Sequence, residues 1–339
     1  MSKVFYMCSL IIAAFVAQAS CLSLPYQRRA VVNHAMDMML DCEFDSALSL
    51  CDSIISADRS DPLGDMLKLS ALAFLDLDCN HVSDSARFYG QYASTQRTIF
   101  SYETTNGPSP YSLTVKGFTK AIAACYHLWH KSYIKGLNTG FDALKELKEA
   151  KKEDPADYDA DLFLGLYNYA RADMKRMFWW AFFWYPGDRE SGIRSLALCN
   201  KNGQFTQSVA GLVLAELAIR EKKFPEAETL ITGLERDFPK SRIVRWTRAK
   251  YFEEQKLFAQ SAEIYGLLAD EYDGIPSAWR NALAARWKEA SLSEDAGNRQ
   301  GAEAACGKIV LKKKDAMDSA SRQIIKDAEK LLGNSKKLP

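Results

Sequence analysis

The sequence predicts an all-α fold in which antiparallel helix pairs stack into a solenoid, an α-α superhelix. Two observations carry this prediction: a 34-residue internal repeat between about residues 208 and 275, and apolar residues at helical three-and-four spacing in both halves of each repeat. With 339 residues, 47% of them hydrophobic, the chain can bury a large core. Its 44 basic and 43 acidic side chains nearly cancel, so the net charge does not indicate an acidic or a basic partner.

The repeat is read from residues that recur at one spacing. The matched pairs are Phe224 and Phe258, Ala227 and Ser261, Ile231 and Tyr265, Leu234 and Leu268, and Ala215 and Ala249. Pro225 suits the first turn of a second helix, where its missing N–H would have no partner, and Pro239 ends the unit. The small residues are predicted to lie in the core, where two helices approach closely.

These residues resemble the tetratricopeptide repeat (TPR), whose second helix carries a small residue, a large apolar one, another apolar one and a closing proline. The pattern is met by Ala227, Ile231, Leu234 and Pro239, and again by Ala143, Leu147, Ala150 and Pro155. Looser matches are Ala47, Cys51 and Ile54; Leu164-Gly165; Ala86, Gly90 and Ala93; and Ala302, Cys306 and Ile309. The resemblance implies a stacked solenoid in which each helix pair covers the apolar face of the next.

The resulting organisation has four parts. Residues 1–19 are predicted to be a signal peptide, 28–135 degenerate helical repeats, 136–314 TPR repeats with an aromatic insertion at 174–187, and 315–333 a capping helix. Residues 101–112, which contain Asn106-Gly107-Pro108 and Pro110, are predicted to form a loop.

The N-terminus has the pattern of a secretory signal. Lys3 precedes an apolar run from Val4 to Ala17, and small residues place the cleavage after Ala19. Cys21 follows small residues as in bacterial lipoproteins, although Gln18 replaces the usual leucine, so lipidation at Cys21 and soluble export both stay open. The predicted location is the periplasm or the outer membrane. The six downstream cysteines are scattered singly, and most are expected to be small buried side chains rather than disulfide partners.

The aromatic insertion carries seven aromatic residues in eight positions, Phe178 to Tyr185. Three interpretations compete: rings buried in the solenoid, a membrane-surface contact through residues 177–185, and a partner-binding site. The partner-binding candidates are Phe178, Trp179, Trp180, Phe183, Trp184 and Tyr185. Asp188 is predicted to cap the following helix. The arrangement across residues 162–192 is similar to the inclusion-body-clearance branch of the superfamily, whose members are regarded as non-enzymatic adaptors.

The resemblance to TPR proteins implies binding on the face lined by first helices. By the family's groove positions, the candidates are Tyr169, Glu216, Trp246, Lys250 and Glu253. We therefore expect a non-enzymatic exported scaffold that binds a protein or peptide. Phe238-Pro239-Lys240-Ser241 also resembles outer-membrane assembly lipoproteins of the BamD kind, which gives an alternative function.

No catalytic residue, cofactor or metal site is predicted. Catalytic motifs such as a phosphate-binding loop or a GxSxG elbow do not occur in the sequence, and His127 and His130 share a helix face without further zinc ligands. An envelope hydrolase with two unrecognised carboxylates is the second alternative. The lysine cluster at 312–314 is not interleaved with aromatic residues, so nucleic acid is not an expected partner.

Overall fold

The computed structural model describes residues 26–79, 85–177, 188–312 and 318–335. Within these ranges the chain is helical, with no strand, which confirms the predicted all-α class. The first eight helices are α1 (Tyr26–Leu40), α2 (Phe44–Ala57), α3 (Pro62–Cys79), α4 (Ser85–Asn106), α5 (Pro110–Trp129), α6 (Tyr133–Glu153), α7 (Ala160–Met177) and α8 (Arg189–Asn202). They are followed by α9 (Gln207–Arg220), α10 (Phe224–Asp237), α11 (Arg242–Glu254), α12 (Phe258–Asp273), α13 (Trp279–Asp295), α14 (Arg299–Leu311) and α15 (Ser319–Ser335).

The helices belong to two compact units. Unit 1 comprises residues 1–75 and 82–216, and unit 2 comprises residues 76–81 and 217–339. In unit 1, α5 packs against α6, and α7 packs against α8. In unit 2, α11 packs against α12, α12 against α13, and α13 against α14. The final residues of α3 therefore belong to a unit whose other residues follow about 140 positions later in the chain.

One type of turn recurs in five helix pairs. Its central residue has a left-handed backbone, and the following N–H bonds to the carbonyl five residues back, as in a Schellman motif. The central residues are Cys42, Lys131, Lys222, Lys256 and Gly297. Five positions after each one lies a small residue of the next helix: Ala47, Gly136, Ala227, Ser261 and Ala302. All five small residues are buried, so turn and close helix approach form one repeated local design.

Replacing Lys256 with glycine is expected to stabilise the protein by about 1 kcal/mol, because a side chain at φ 62° is strained and glycine is not. Gly297 occupies the same position of its turn at φ 76°, so Gly297→Ala should destabilise by a similar amount. Urea unfolding of both variants measures the two effects. If both substitutions stabilise the protein, or both destabilise it, the two turns are not of one type.

One sequence prediction differs from the structure, and one helix is longer than its repeat pattern indicated. The predicted loop at 101–112 is only 107–109, because α4 continues to Asn106 and Ser109 caps α5 with Pro110 in its first turn. In the predicted repeat with Ala143, Leu147 and Ala150, these three residues are fully buried, and α6 ends two residues before Pro155 as α10 ends two residues before Pro239. The turn before α6 lies at Lys131, so a second buried small residue, Gly136, precedes Ala143. With 21 residues α6 is longer than α10, which has 14, and the difference is about two helical turns, so the additional residues continue the same buried face.

The C-terminal part of unit 2 has its own small core. Leu283, Ala290, Cys306, Ile309 and Ile325 are buried together, with Leu331 and Leu332 packed against them. The Asp318 carboxylate accepts the Ser321 backbone N–H at 2.8 Å at the start of α15. It also accepts the Arg280 Nε–H at 2.7 Å. The terminal helix therefore covers apolar surface of α13 and α14.

Candidate functional site

The described groove candidates of unit 2 share one face of α11. Ser241 caps this helix by accepting the Val244 backbone N–H. Trp246, Lys250 and Glu253 follow at spacings of four and three, and all three are half-buried. On the opposite side Arg248 donates to Glu235 of α10 at 2.7 Å, which fixes the rotation of α11 about its axis.

An ion pair links this face to α13. Lys288 of α13 lies 2.6 and 2.9 Å from the two carboxylate oxygens of Glu253, and the hydroxyl of Tyr265 lies 3.4 Å from the second. The Glu253 and Lys288 side chains are each 27% exposed, so solvent reaches the pair and its contribution to stability is small. A partner with its own charges can therefore exchange with either side chain at low cost.

The aromatic part of the face rests on a buried polar base. The Trp246 ring packs edge-on against Tyr265 with centroids 5.1 Å apart, and its indole N–H donates to the Tyr272 hydroxyl at 3.1 Å. Tyr272 donates in turn to Asp78 at 2.9 Å. Burial, and next the Asp78 charge, raise the pKa of Tyr272 well above its usual value, so this hydroxyl stays protonated. The indole is thus held in one orientation.

Asp78 also binds Arg242. The guanidinium of Arg242 donates to both Asp78 oxygens at 2.6 to 3.1 Å and to Glu271 at 2.8 Å. Asn281 donates to the Asp78 backbone carbonyl at 2.6 Å. Together these contacts anchor the segment ending α3 under α11, α12 and α13 within unit 2.

The two other groove candidates lie in unit 1. Tyr169 of α7 is only 4% exposed, with the Arg189 guanidinium 5.0 Å above its ring and an Arg189 nitrogen 2.6 Å from its hydroxyl. Glu216 of α9 is 8% exposed. Both side chains are part of unit 1 packing, whereas the α11 residues present half-exposed surface.

The aromatic insertion candidates lie outside the described residues. This applies to Phe178, Trp179, Trp180, Phe183, Trp184 and Tyr185, and also to Cys21 and the cleavage position after Ala19. The first residue described after the insertion is Asp188, whose carboxylate accepts the Glu190 backbone N–H at 3.0 Å. The predicted cap of α8 is confirmed.

A buried cluster in unit 1 brings a thiol, a hydroxyl and a carboxylate together. Cys199 lies 2.8 Å from the Thr206 hydroxyl, which donates to Asp159 at 2.6 Å. Burial raises the pKa of the Cys199 thiol far above its usual value, with the Asp159 charge as the next cause. A nucleophilic cysteine needs the opposite shift, so this cluster is a structural contact.

The remaining described cysteines are mostly buried as well. Among the described cysteines, all free, only Cys42 is partly exposed, and burial raises the pKa of Cys51 to about 12 and of Cys306 to about 11. The expectation that most cysteines are small buried side chains is confirmed. His127 lies 3.0 Å from the Tyr89 hydroxyl. The described residues contain no cluster of His, Cys, Asp or Glu suited to a metal ion, and no helix among them is long and apolar enough to cross a membrane.

Sequence reasoning missed Lys288, Tyr272 and Asp78. Lys288 could have been found, since it follows Glu253 by about one repeat length and the repeat continues into α13. The Asp78 contact could not, because its partner Arg242 is 164 residues away and no local pattern marks the pair.

No known protein family matches the chain, and no curated protein and no solved structure matches it significantly.

Proposed function

We propose that the chain is a non-enzymatic TPR-type scaffold of the cell envelope, and that it binds a protein or peptide segment on the α11–α13 face. The supporting observation is the half-exposed set formed by Trp246, Lys250, Glu253 and Lys288, held on the buried base of Tyr272 and Asp78. An orientated indole beside charges of both signs is typical of binding hot spots. The five recurring turns with their small residues support the repeat assignment.

The chemistry of the face defines the partner. Glu253 and Lys288 exchange their mutual pair for contacts with a basic and an acidic group of the bound segment, while Trp246 and Tyr265 pack against an apolar side chain between them. The bound segment is therefore amphipathic and carries both charges. Because solvent reaches the Glu253–Lys288 pair, exchanging it for contacts with the bound segment costs little.

A charge-exchange experiment tests this proposal. In crosslinking pull-downs from intact cells, Glu253→Lys and Lys288→Glu should each reduce capture of the partner more than tenfold. The double variant restores the internal ion pair but reverses its direction, so it should fold normally and still fail to bind. Trp246→Ala should reduce capture to a similar degree.

The matched control exchanges Arg299 and Glu303, an exposed pair 3.5 Å apart on α14. Capture should be unchanged in that variant. Full capture by the folded Glu253/Lys288 double variant would refute binding at this face.

Export is part of the proposal and rests on the N-terminal pattern from Lys3 to Ala19. Mass spectrometry of the protein from envelope fractions should show a chain that begins at Ser20. A chain that begins at a lipid-modified Cys21 would instead establish the lipoprotein form, and an uncleaved chain in the cytosol would refute export.

A further inference from the structure

Unit 1 carries an exposed apolar stripe at the start of α6. Ile134, Phe141, Leu137 and Tyr133 are 76%, 50%, 48% and 47% exposed. Their spacing of three and four places Ile134, Leu137 and Phe141 on one face of the helix. Four large apolar side chains exposed within three helical turns form a contiguous patch rather than the single exposed residues that are common on soluble proteins.

Packing on the other side of α6 fixes this stripe outward. Gly136 lies so close to α5 that a Cβ there would be 2.7 Å from the Leu128 side chain and 2.9 Å from the Ala124 carbonyl oxygen. Further along, Ala143 and Leu147 are fully buried. Rotating α6 to hide the stripe would break this contact, so its exposure follows from the fold.

Basic side chains flank the start of the stripe. Between Glu103 and Asp142 the sequence contains no aspartate or glutamate, although 43 of the 339 residues are acidic. Lys131 and Lys135 are exposed beside the stripe, and neither forms an ion pair with any residue that the structure describes. Two exposed lysines therefore flank the start of the stripe, and the first acidic residue, the exposed Asp142, follows only after its last residue, Phe141.

Aromatic side chains complete the region. Trp129, at the end of α5, is half-buried with its ring 5.8 Å from Tyr126 and 4.8 Å from His130, and Tyr133 follows the turn. Tryptophan and tyrosine beside lysine are typical of the headgroup level of a bilayer. The end of α5, the turn at Lys131 and the first turns of α6 together form a region that we call the α5–α6 tip, residues 129–141.

We propose that the α5–α6 tip binds the surface of a bilayer that contains anionic lipids. Ile134, Leu137 and Phe141 enter the boundary between headgroups and acyl chains, while Lys131 and Lys135 contact the lipid phosphates. The tip consists of unit 1 residues and the α11–α13 face of unit 2 residues, so different variants test the two proposals and they stand or fall independently.

Vesicle flotation of the full-length chain tests this inference. Wild-type protein should float with vesicles of phosphatidylcholine and phosphatidylglycerol, with binding weakened by salt, and much less with phosphatidylcholine alone. The triple variant Ile134→Ser, Leu137→Ser, Phe141→Ser should reduce bound protein more than tenfold. Lys131→Glu with Lys135→Glu should abolish the preference for anionic vesicles.

The control variant is Phe100→Ser with Leu267→Ser, which removes two equally exposed apolar side chains elsewhere and should bind as wild type does. Unchanged flotation of both tip variants would overturn the proposal and assign any binding to another part of the chain. A tip variant that changes the oligomeric state without lipid would replace it with self-association. Loss of thermal stability beyond that of the control would show that the stripe is covered within the molecule.

Discussion

Asp159→Ala is expected to lower the free energy of unfolding by about 3 to 5 kcal/mol, because the change leaves several buried donors without a partner. Asp159 accepts the backbone N–H groups of Gln204, Phe205 and Thr206 at 2.9 to 3.1 Å, and the Thr206 hydroxyl. These contacts hold the connection between α8 and α9 against the start of α7. Denaturant unfolding followed by circular dichroism measures the loss.

The Asp159→Asn variant separates the hydrogen bonds from the charge. All four donors reach the same oxygen, which an asparagine retains, so the variant should keep most of the wild-type stability. Burial raises the pKa of the Asp159 carboxyl. Its favourable contribution is therefore complete below its unfolded pKa of about 3.8 and is lost as the pH rises through the raised folded value. The unfolding free energy of the Asp159→Asn variant minus that of the wild type should therefore increase over this pH range and stay constant at higher pH.

Two results would contradict this account of Asp159. One is an Asn variant as unstable as the Ala variant, which would mean that the carboxylate charge is required. The other is a tolerated Gly203→Ala change, since a Cβ at Gly203 would lie 2.5 Å from the Cys199 carbonyl oxygen and would displace the same connection.

Asp78→Ala should destabilise unit 2 by about 3 to 5 kcal/mol, because it removes the main partner of the buried Arg242 guanidinium. The Asp78 and Arg242 side chains are 1% and 11% exposed. Tyr272 loses its acceptor in the same change. Chemical unfolding of the variant gives the cost.

The double variant Asp78→Ala with Arg242→Met should be more stable than Asp78→Ala alone, because no uncompensated charge remains buried. The control is Glu149→Ala, which breaks an exposed pair with Lys152 and should cost less than about 1 kcal/mol. If the losses of unfolding free energy caused by Asp78→Ala and by Arg242→Met add up in the double variant, the ion pair contributes no coupling energy.

The sequence predicted those parts of the fold that depend on local pattern. The turns at Lys222 and Lys256 and the buried Ala227 and Ala249 follow from apolar spacing over one repeat. The early start of α6 at Tyr133 was missed because two additional helical turns keep the same face apolar. The end of α4 was missed because Asn106-Gly107-Pro108 marks a chain reversal without fixing how far the preceding helix continues.

The part of the candidate site that depends on local sequence pattern was also predictable. Trp246, Lys250 and Glu253 share a helix face, which their spacing alone implies. Their support by Tyr272 and Asp78 depends on contacts between residues far apart in the chain, and helical periodicity contains no information on such pairs. The same holds for Asp159, whose partners lie 45 to 47 residues away.

The position of Asp78 has a consequence for how the protein can be divided and how it assembles. A fragment that starts at residue 217 contains every helix of unit 2 from α10 onward, yet it lacks Asp78 and leaves Arg242 with Glu271 as its carboxylate partner. Such a fragment should require either a supplied peptide containing residues 76–81 or replacement of Arg242 to reach full stability. In the intact chain, forming this contact closes a loop of 164 residues. Closing this loop costs only slightly more entropy than closing a loop half as long. Contacts between residues so far apart in the chain form slowly, so we expect this contact to affect the folding rate more than the stability.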